Sequence, residues 1–139
     1  MIFLYHLSAI EDAAHWLLNQ IGTARVICFE GEMGAGKTTL IAALCKQMGI
    51  EGVASSPTFP IIHEYGLAGG SEVVFHMDWY RLNSEEEAER AGVIDALYSG
   101  SYCLVEWPQK LPAIIPPDAV HVHLQVVDEH KHALQLLNK

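Results

Sequence analysis

Two kinds of hydrophobic pattern alternate along this chain. Residues Val26-Ile27-Cys28-Phe29 and Tyr102-Cys103-Leu104-Val105 are unbroken apolar runs of strand length, as expected of strands covered on both faces. Between residues 120 and 126, Val120, Val122, Leu124 and Val126 alternate with His121, His123 and Gln125, which predicts a strand with one buried face. Over residues 38–48, Leu40, Ile41, Leu44 and Met48 recur at helical spacing and Gly49 supplies a stop.

Weaker signals fill in the rest. Residues 2–5 predict a short first strand. Ser8-Ala9-Ile10-Glu11 has the spacing of a capping box and predicts a helix running to about residue 21, before Gly22. Residues 59–65 and 72–77 predict two strands separated by the Gly-rich turn 66–71. Ser84-Glu85-Glu86-Glu87 is a second capping box, opening an acidic helix that Gly92 interrupts before a shorter helix to about Tyr98. Pro108, Pro112, Pro116 and Pro117 mark an extended connection, and residues 133–137 return as a hairpin partner after the turn 128–131. Apolar strands mixed with helices predict an α/β domain, a largely parallel sheet with some antiparallel pairing and a C-terminal hairpin. Ligands of such sheets sit at the carboxyl ends of strands.

Length and composition narrow the class. The 139 residues, half of them hydrophobic, predict one domain spanning 1–139 with a substantial core. No apolar run approaches the ~20 residues of a membrane helix, and residues 1–30 lack the pattern of a secretory signal. Cys28, Cys45 and Cys103 lie in apolar segments without metal-site spacing, which suits buried thiols in a cytoplasmic protein. The net charge of −9, with only eight scattered Lys and Arg, argues against autonomous binding of nucleic acid.

The strongest chemical signal joins the first buried strand to the helix at 38–48. Gly31-Glu32-Met33-Gly34-Ala35-Gly36-Lys37-Thr38 is a complete phosphate-binding loop of the form GxxxxGK[ST]. Its glycines let successive backbone N–H groups turn toward an anion. Lys37 reaches the β- and γ-phosphates, the Thr38 hydroxyl is placed for Mg²⁺, and the following helix adds the positive end of its dipole. Strand, loop and helix occur in the required order, which makes the expected fold a P-loop NTPase-like three-layer sandwich.

Such a loop needs a carboxylate at the end of a neighbouring strand to hold Mg²⁺ or its water shell. Asp78 and Glu106 both follow apolar runs, and either is suited to the metal while the other orients the attacking water. Ser56-Pro57-Thr58 presents a hydroxyl on a rigid loop, compatible with a γ-phosphate sensor or an ordinary turn. Arg81 suits a transition-state role or a structural ion pair. Trp107 suits the core or a partner contact at the rim. His121, His123, His130 and His132 form two H-x-H pairs, for which solvent-facing positions on the hairpin are expected.

Taken together, GEMGAGKTT (31–39), SPTF (56–59), HMDWYRL (76–82) and VEWPQ (105–109) resemble, in order and spacing, the TsaE family, formerly YjeE. The resemblance runs from the first helix to the final hairpin. It implies a small ATPase that binds ATP or ADP with Mg²⁺ and joins a complex of TsaD with TsaB. Through these partners it supports formation of threonylcarbamoyladenosine at adenosine 37 of tRNA. It further implies phosphate contacts along Gly34, Ala35, Gly36, Lys37, Thr38 and Thr39, with Mg²⁺ on Thr38 and Glu106. Asp78 would position or activate the water, assisted by Lys37, and Thr58 would lie in a switch-like loop. Relatives tend to carry a threonine near the first helix, where this chain has only Ser8, and an arginine in the last hairpin. His130-Lys131-His132 stands in place of that arginine, which makes Lys131 the candidate cation near the nucleotide. Three rival readings remain at this stage. With only Arg25, Arg81 and Arg90 there is no arginine-rich lid of the kind a small-molecule kinase uses. A guanine-reading motif is missing, since Asn138-Lys139 ends the sequence. A nucleotide-binding module that never hydrolyses would have little use for Asp78 and Glu106.

Overall fold

In the computed structural model, residues 1–50, 61–66 and 72–137 are described. Seven strands form a single sheet in the order β1-β7-β6-β2-β5-β4-β3, where β1 is Ile2–His6, β2 Val26–Glu30, β3 Ile62–Gly66, β4 Val73–Asp78, β5 Tyr102–Glu106, β6 Val120–Val126 and β7 Lys131–Leu136. The central strands β6, β2, β5 and β4 run parallel, while β1–β7, β6–β7 and β3–β4 pair antiparallel. This is the expected α/β sheet with its C-terminal hairpin.

Period-2 alternation divides the apolar residues of β2 between two cores. Ile27 and Phe29 pack with Leu104, Val122, Leu124 and Leu134 under helices α1 (Ile10–Gln20) and α2 (Lys37–Gln47). Val26 and Cys28 face the other way, with Met77, Cys103 and Val105, under α3 (Glu85–Arg90) and α4 (Val93–Leu97). Both faces of the central sheet are thus covered, which is why β2 and β5 read as continuous apolar runs. At β6 the second face is open: His121 and His123 are half-buried and Gln125 is exposed, so that strand alternates. All three cysteines are buried thiols. Among the described residues no helix is long and apolar enough to cross a membrane.

Helix ends follow local chemistry, with one correction. Gly49, at φ +93°, closes α2: its N–H reaches the Lys46 carbonyl, and the Ile50 N–H reaches that of Cys45. Ser84 caps α3, its hydroxyl accepting from the Glu87 N–H at 3.2 Å, while the Glu87 carboxylate accepts from the Asn83 N–H at 2.8 Å. Ser8, by contrast, caps nothing. The chain leaves β1 through a 3₁₀ turn at Leu7–Ala9, and α1 begins at Ile10 with Ala9 as its N-cap and no side-chain cap bond. The Leu7 N–H is instead held by the His130 carbonyl, so the hairpin, not a local cap, sets the start of this region.

Candidate functional site at the carboxyl edge of the sheet

The loop after β2 leads straight into α2. Gly34 and Gly36 lie at φ +86° and +95°, and Gly36 is the N-cap of the helix. At Gly31 a Cβ would stand 2.8 Å from the Leu124 carbonyl oxygen, so the start of the loop is pressed against β6. Left-handed glycines of this kind allow successive backbone N–H groups to turn toward an anion.

Lys37 opens α2 and is 5% exposed. Its ammonium donates to the Gly31 carbonyl and lies 3.8 Å from the centroid of the Trp107 ring. Burial holds its pKa below the ordinary lysine value, against the raising influence of the Glu106 and Asp78 carboxylates. Trp107 is the one non-glycine residue with positive φ (+60°) among those described, and its ring also meets Tyr80 at 4.9 Å.

The two candidate carboxylates lie side by side. Asp78 ends β4, Glu106 ends β5, and they are register partners across that parallel pair. Thr38 Oγ1 is 3.0 Å and 3.1 Å from the two Glu106 oxygens. Glu106 is 3% exposed, and its Oε2 is also 2.8 Å from Nε2 of the fully buried His76. Asp78 is half-buried and accepts from the Tyr80 N–H at 2.9 Å. Its pKa is raised above the ordinary carboxylate value, chiefly by burial and further by Glu106, with the Tyr80 bond, His76 and Lys37 opposing. A carboxylate tuned upward is a stronger base at neutral pH.

Lys37, Thr38, Asp78 and Glu106 are therefore brought together with Gly34, Ala35 and Gly36. Thr39 is exposed on the first turn of α2, and Arg81 is exposed in the turn after β4. Thr58 and the rest of Ser56-Pro57-Thr58 lie outside the described residues, as does most of the turn expected at 66–71. Lys131 is exposed, on the face of β7 opposite to its neighbour. That neighbour, His132, is 5% exposed, and its Nδ1 donates to the Ala35 carbonyl at 3.1 Å. His132 thus corrects the expectation of four solvent-facing histidines. It shares the inward face of β7 with Leu134 and Leu136, and that alternation is a signal the sequence offered.

A hydroxyl and a carboxylate in contact are hard oxygen donors of the kind Mg²⁺ takes. No group of three or more His, Cys, Asp or Glu among the described residues is arranged to hold a metal.

The chain is similar to several known proteins. A TsaE protein of tRNA threonylcarbamoyladenosine biosynthesis from Haemophilus influenzae is 35% identical over 109 residues, 78% of this chain and 68% of the relative. One from Synechocystis sp. is 34% identical over 81% of this chain and 72% of the relative. The crystal structure of Bacillus subtilus YdiB superposes over 98% of this chain and 84% of its own with a TM-score of 0.69, a likeness of fold at 22% identity. The profile of the family described as threonylcarbamoyl adenosine biosynthesis protein TsaE matches residues 4–134, nearly the whole length, and the chain belongs to that family.

Proposed function

We propose that the protein is a Mg²⁺-dependent ATPase, weak alone and activated by a complex of TsaB and TsaD type proteins, through which it supports threonylcarbamoyl modification of adenosine 37 in tRNA. The observation that carries this reading is the contact of Thr38 with Glu106, the register partner of Asp78, beneath a complete phosphate loop. Thr38 and Glu106 would hold Mg²⁺, which when bound offsets charge on the phosphate oxygens. Lys37 is already buried at the mouth of the loop, and phosphate oxygens would take over the place of its Gly31 and Trp107 partners. Asp78 accepts a proton from the attacking water, whose oxygen forms the new bond to the γ-phosphorus as the bond to the ADP oxygen breaks.

Low turnover of the isolated chain follows from its cations. Arginines add strongly to phosphoryl-transfer rates, and the chain has only three, Arg25, Arg81 and Arg90. Arg25 stacks on Tyr102, and Arg90 lies 3.5 Å from Glu86 on α3. The test is ATP turnover with Mg²⁺, alone and with TsaB–TsaD, for wild type and Asp78→Ala. Slow turnover that rises with the partners and is lost in the variant supports the reading. Brisk turnover alone, unchanged by partners, overturns the partner dependence. ATP-dependent phosphorylation of a small metabolite would turn the assignment toward a kinase.

A further inference from the structure

We propose that His76 is a positioning residue for Glu106, its Nε2–H holding one carboxylate oxygen so that the other is presented, with the Thr38 hydroxyl, to a divalent ion. This inference rests on the reading of Thr38 and Glu106 as the ion's ligands.

The geometry is specific. On β4, Val74, His76 and Asp78 are two residues apart and share one face; on β5, Leu104 and Glu106 share that same face, opposite them in register. The middle of such a strand is a place for Val or Leu, and Val74 and Met77 beside it are fully buried apolar residues. His76 is equally buried, at 0% exposure, and places Nε2 at 2.8 Å from Glu106 Oε2. An ionised carboxylate only accepts, so Nε2 carries the proton and donates. The other ring nitrogen, Nδ1, is buried with no partner among the described residues. An orphaned buried polar atom is destabilising. A histidine kept under that penalty is poor core filling, and the Glu106 bond is what offsets it.

The arrangement matters because Glu106 has few other anchors. Among the described residues its other side-chain hydrogen bond is to Thr38, whose single hydroxyl proton is shared between the two carboxylate oxygens. When that hydroxyl turns to a metal ion as a ligand, its proton leaves this pair of contacts, and His76 is the protein group that still fixes the carboxylate. Donors behind a metal ligand set its orientation, and their loss typically costs 10–100-fold in metal affinity.

Mn²⁺ is the probe, titrated by electron paramagnetic resonance into the protein saturated with ADP. Binding of ADP alone is measured separately with chelator. In His76→Phe, which keeps a ring and loses the donor, the Mn²⁺ dissociation constant is expected to rise about 10–100-fold. Affinity for ADP alone should stay within about twofold. His76→Gln, which restores an amide donor of similar reach, should recover most of the loss. Wild-type protein supplies a test free of folding effects: a ¹⁵N spectrum of the imidazoles should show Nε2 of His76 protonated. Equal Mn²⁺ affinity in wild type and His76→Phe, no recovery by Gln, or an unprotonated Nε2 would each overturn the proposal. Failure of wild type itself to bind Mn²⁺ with ADP would instead overturn the reading of Thr38 and Glu106, and this inference with it.

Discussion

At Asp78 the proposed catalytic role and stability pull in opposite directions. Burial and the Glu106 charge raise its pKa, so the folded protein holds that proton more tightly than the unfolded chain does. The stability this contributes is complete below the ordinary Asp value of 3.8 and is lost as pH rises through the higher folded-state value. The ionised form that the proposed role as a base requires is therefore the less stable one. Asp78→Asn removes the charge and keeps an acceptor for the Tyr80 N–H. In thermal unfolding without nucleotide, this variant should melt above wild type at neutral pH, and the gap should close as pH falls toward 3.8. Partner-stimulated ATP turnover should drop by about 10²–10⁴-fold. A variant less stable than wild type at neutral pH would show that the carboxylate's bond to Tyr80 outweighs its burial. The hairpin offers a second contrast between neighbours. His132→Ala leaves the Ala35 carbonyl without its donor, a loss of about 1 kcal/mol and, through the loop, about fivefold in ADP affinity. Lys131→Ala removes an exposed charge and should leave ADP affinity within about twofold. Calorimetric titration of the two variants decides whether His132 or Lys131 serves the loop.

Among the elements, those built from contiguous signals were legible and those settled by distant contacts were not. The loop motif, the buried runs of β2 and β5 and the Gly49 stop each depend on residues within a few positions of one another. The same holds for the Ser84 cap, where hydroxyl, helix and Glu87 are all local. Ser8 carries the same spacing and fails, because β7 pulls β1 into register and the Leu7 N–H is taken by His130. Helix-cap energies make the difference measurable: Ser84→Ala should cost about 1 kcal/mol, and Ser8→Ala should be close to neutral in denaturant unfolding. The candidate site divides in the same way. Asp78 and Glu106 were readable as acidic residues closing apolar runs. His76 sits in the same short motif as Asp78, yet its role appears only once β4 lies beside β5. His132 was missed because the last strand was expected to start at Ala133, whereas it starts at Lys131 and brings His132 onto the face of Leu134 and Leu136.

For the whole molecule, the balance of charge decides how it meets RNA. Eight Lys and Arg face seventeen Asp and Glu, and several of the eight have contacts of their own. Lys37 is buried in the phosphate loop, Lys46 is paired with Glu11 at 2.7 Å, Arg90 lies by Glu86, and Arg25 stacks on Tyr102. A protein that grips RNA directly gains affinity by neutralising phosphates, and that gain needs several cations on one surface. The long-range field of a chain at −9 opposes the approach of a polyanion in any orientation. The isolated protein should therefore bind tRNA more weakly than about 10⁻⁴ M at physiological salt, the weak limit of ordinary non-specific binding. tRNA should join it only when TsaB and TsaD type proteins are present. Fluorescence anisotropy of labelled tRNA, with and without those partners and over a series of salt concentrations, measures both arms. Tight binding by the chain alone, falling steeply with salt, would reveal a cationic surface that the composition argues against. Binding only in the complex would place recognition of the tRNA on the partners and leave this chain the nucleotide-dependent step.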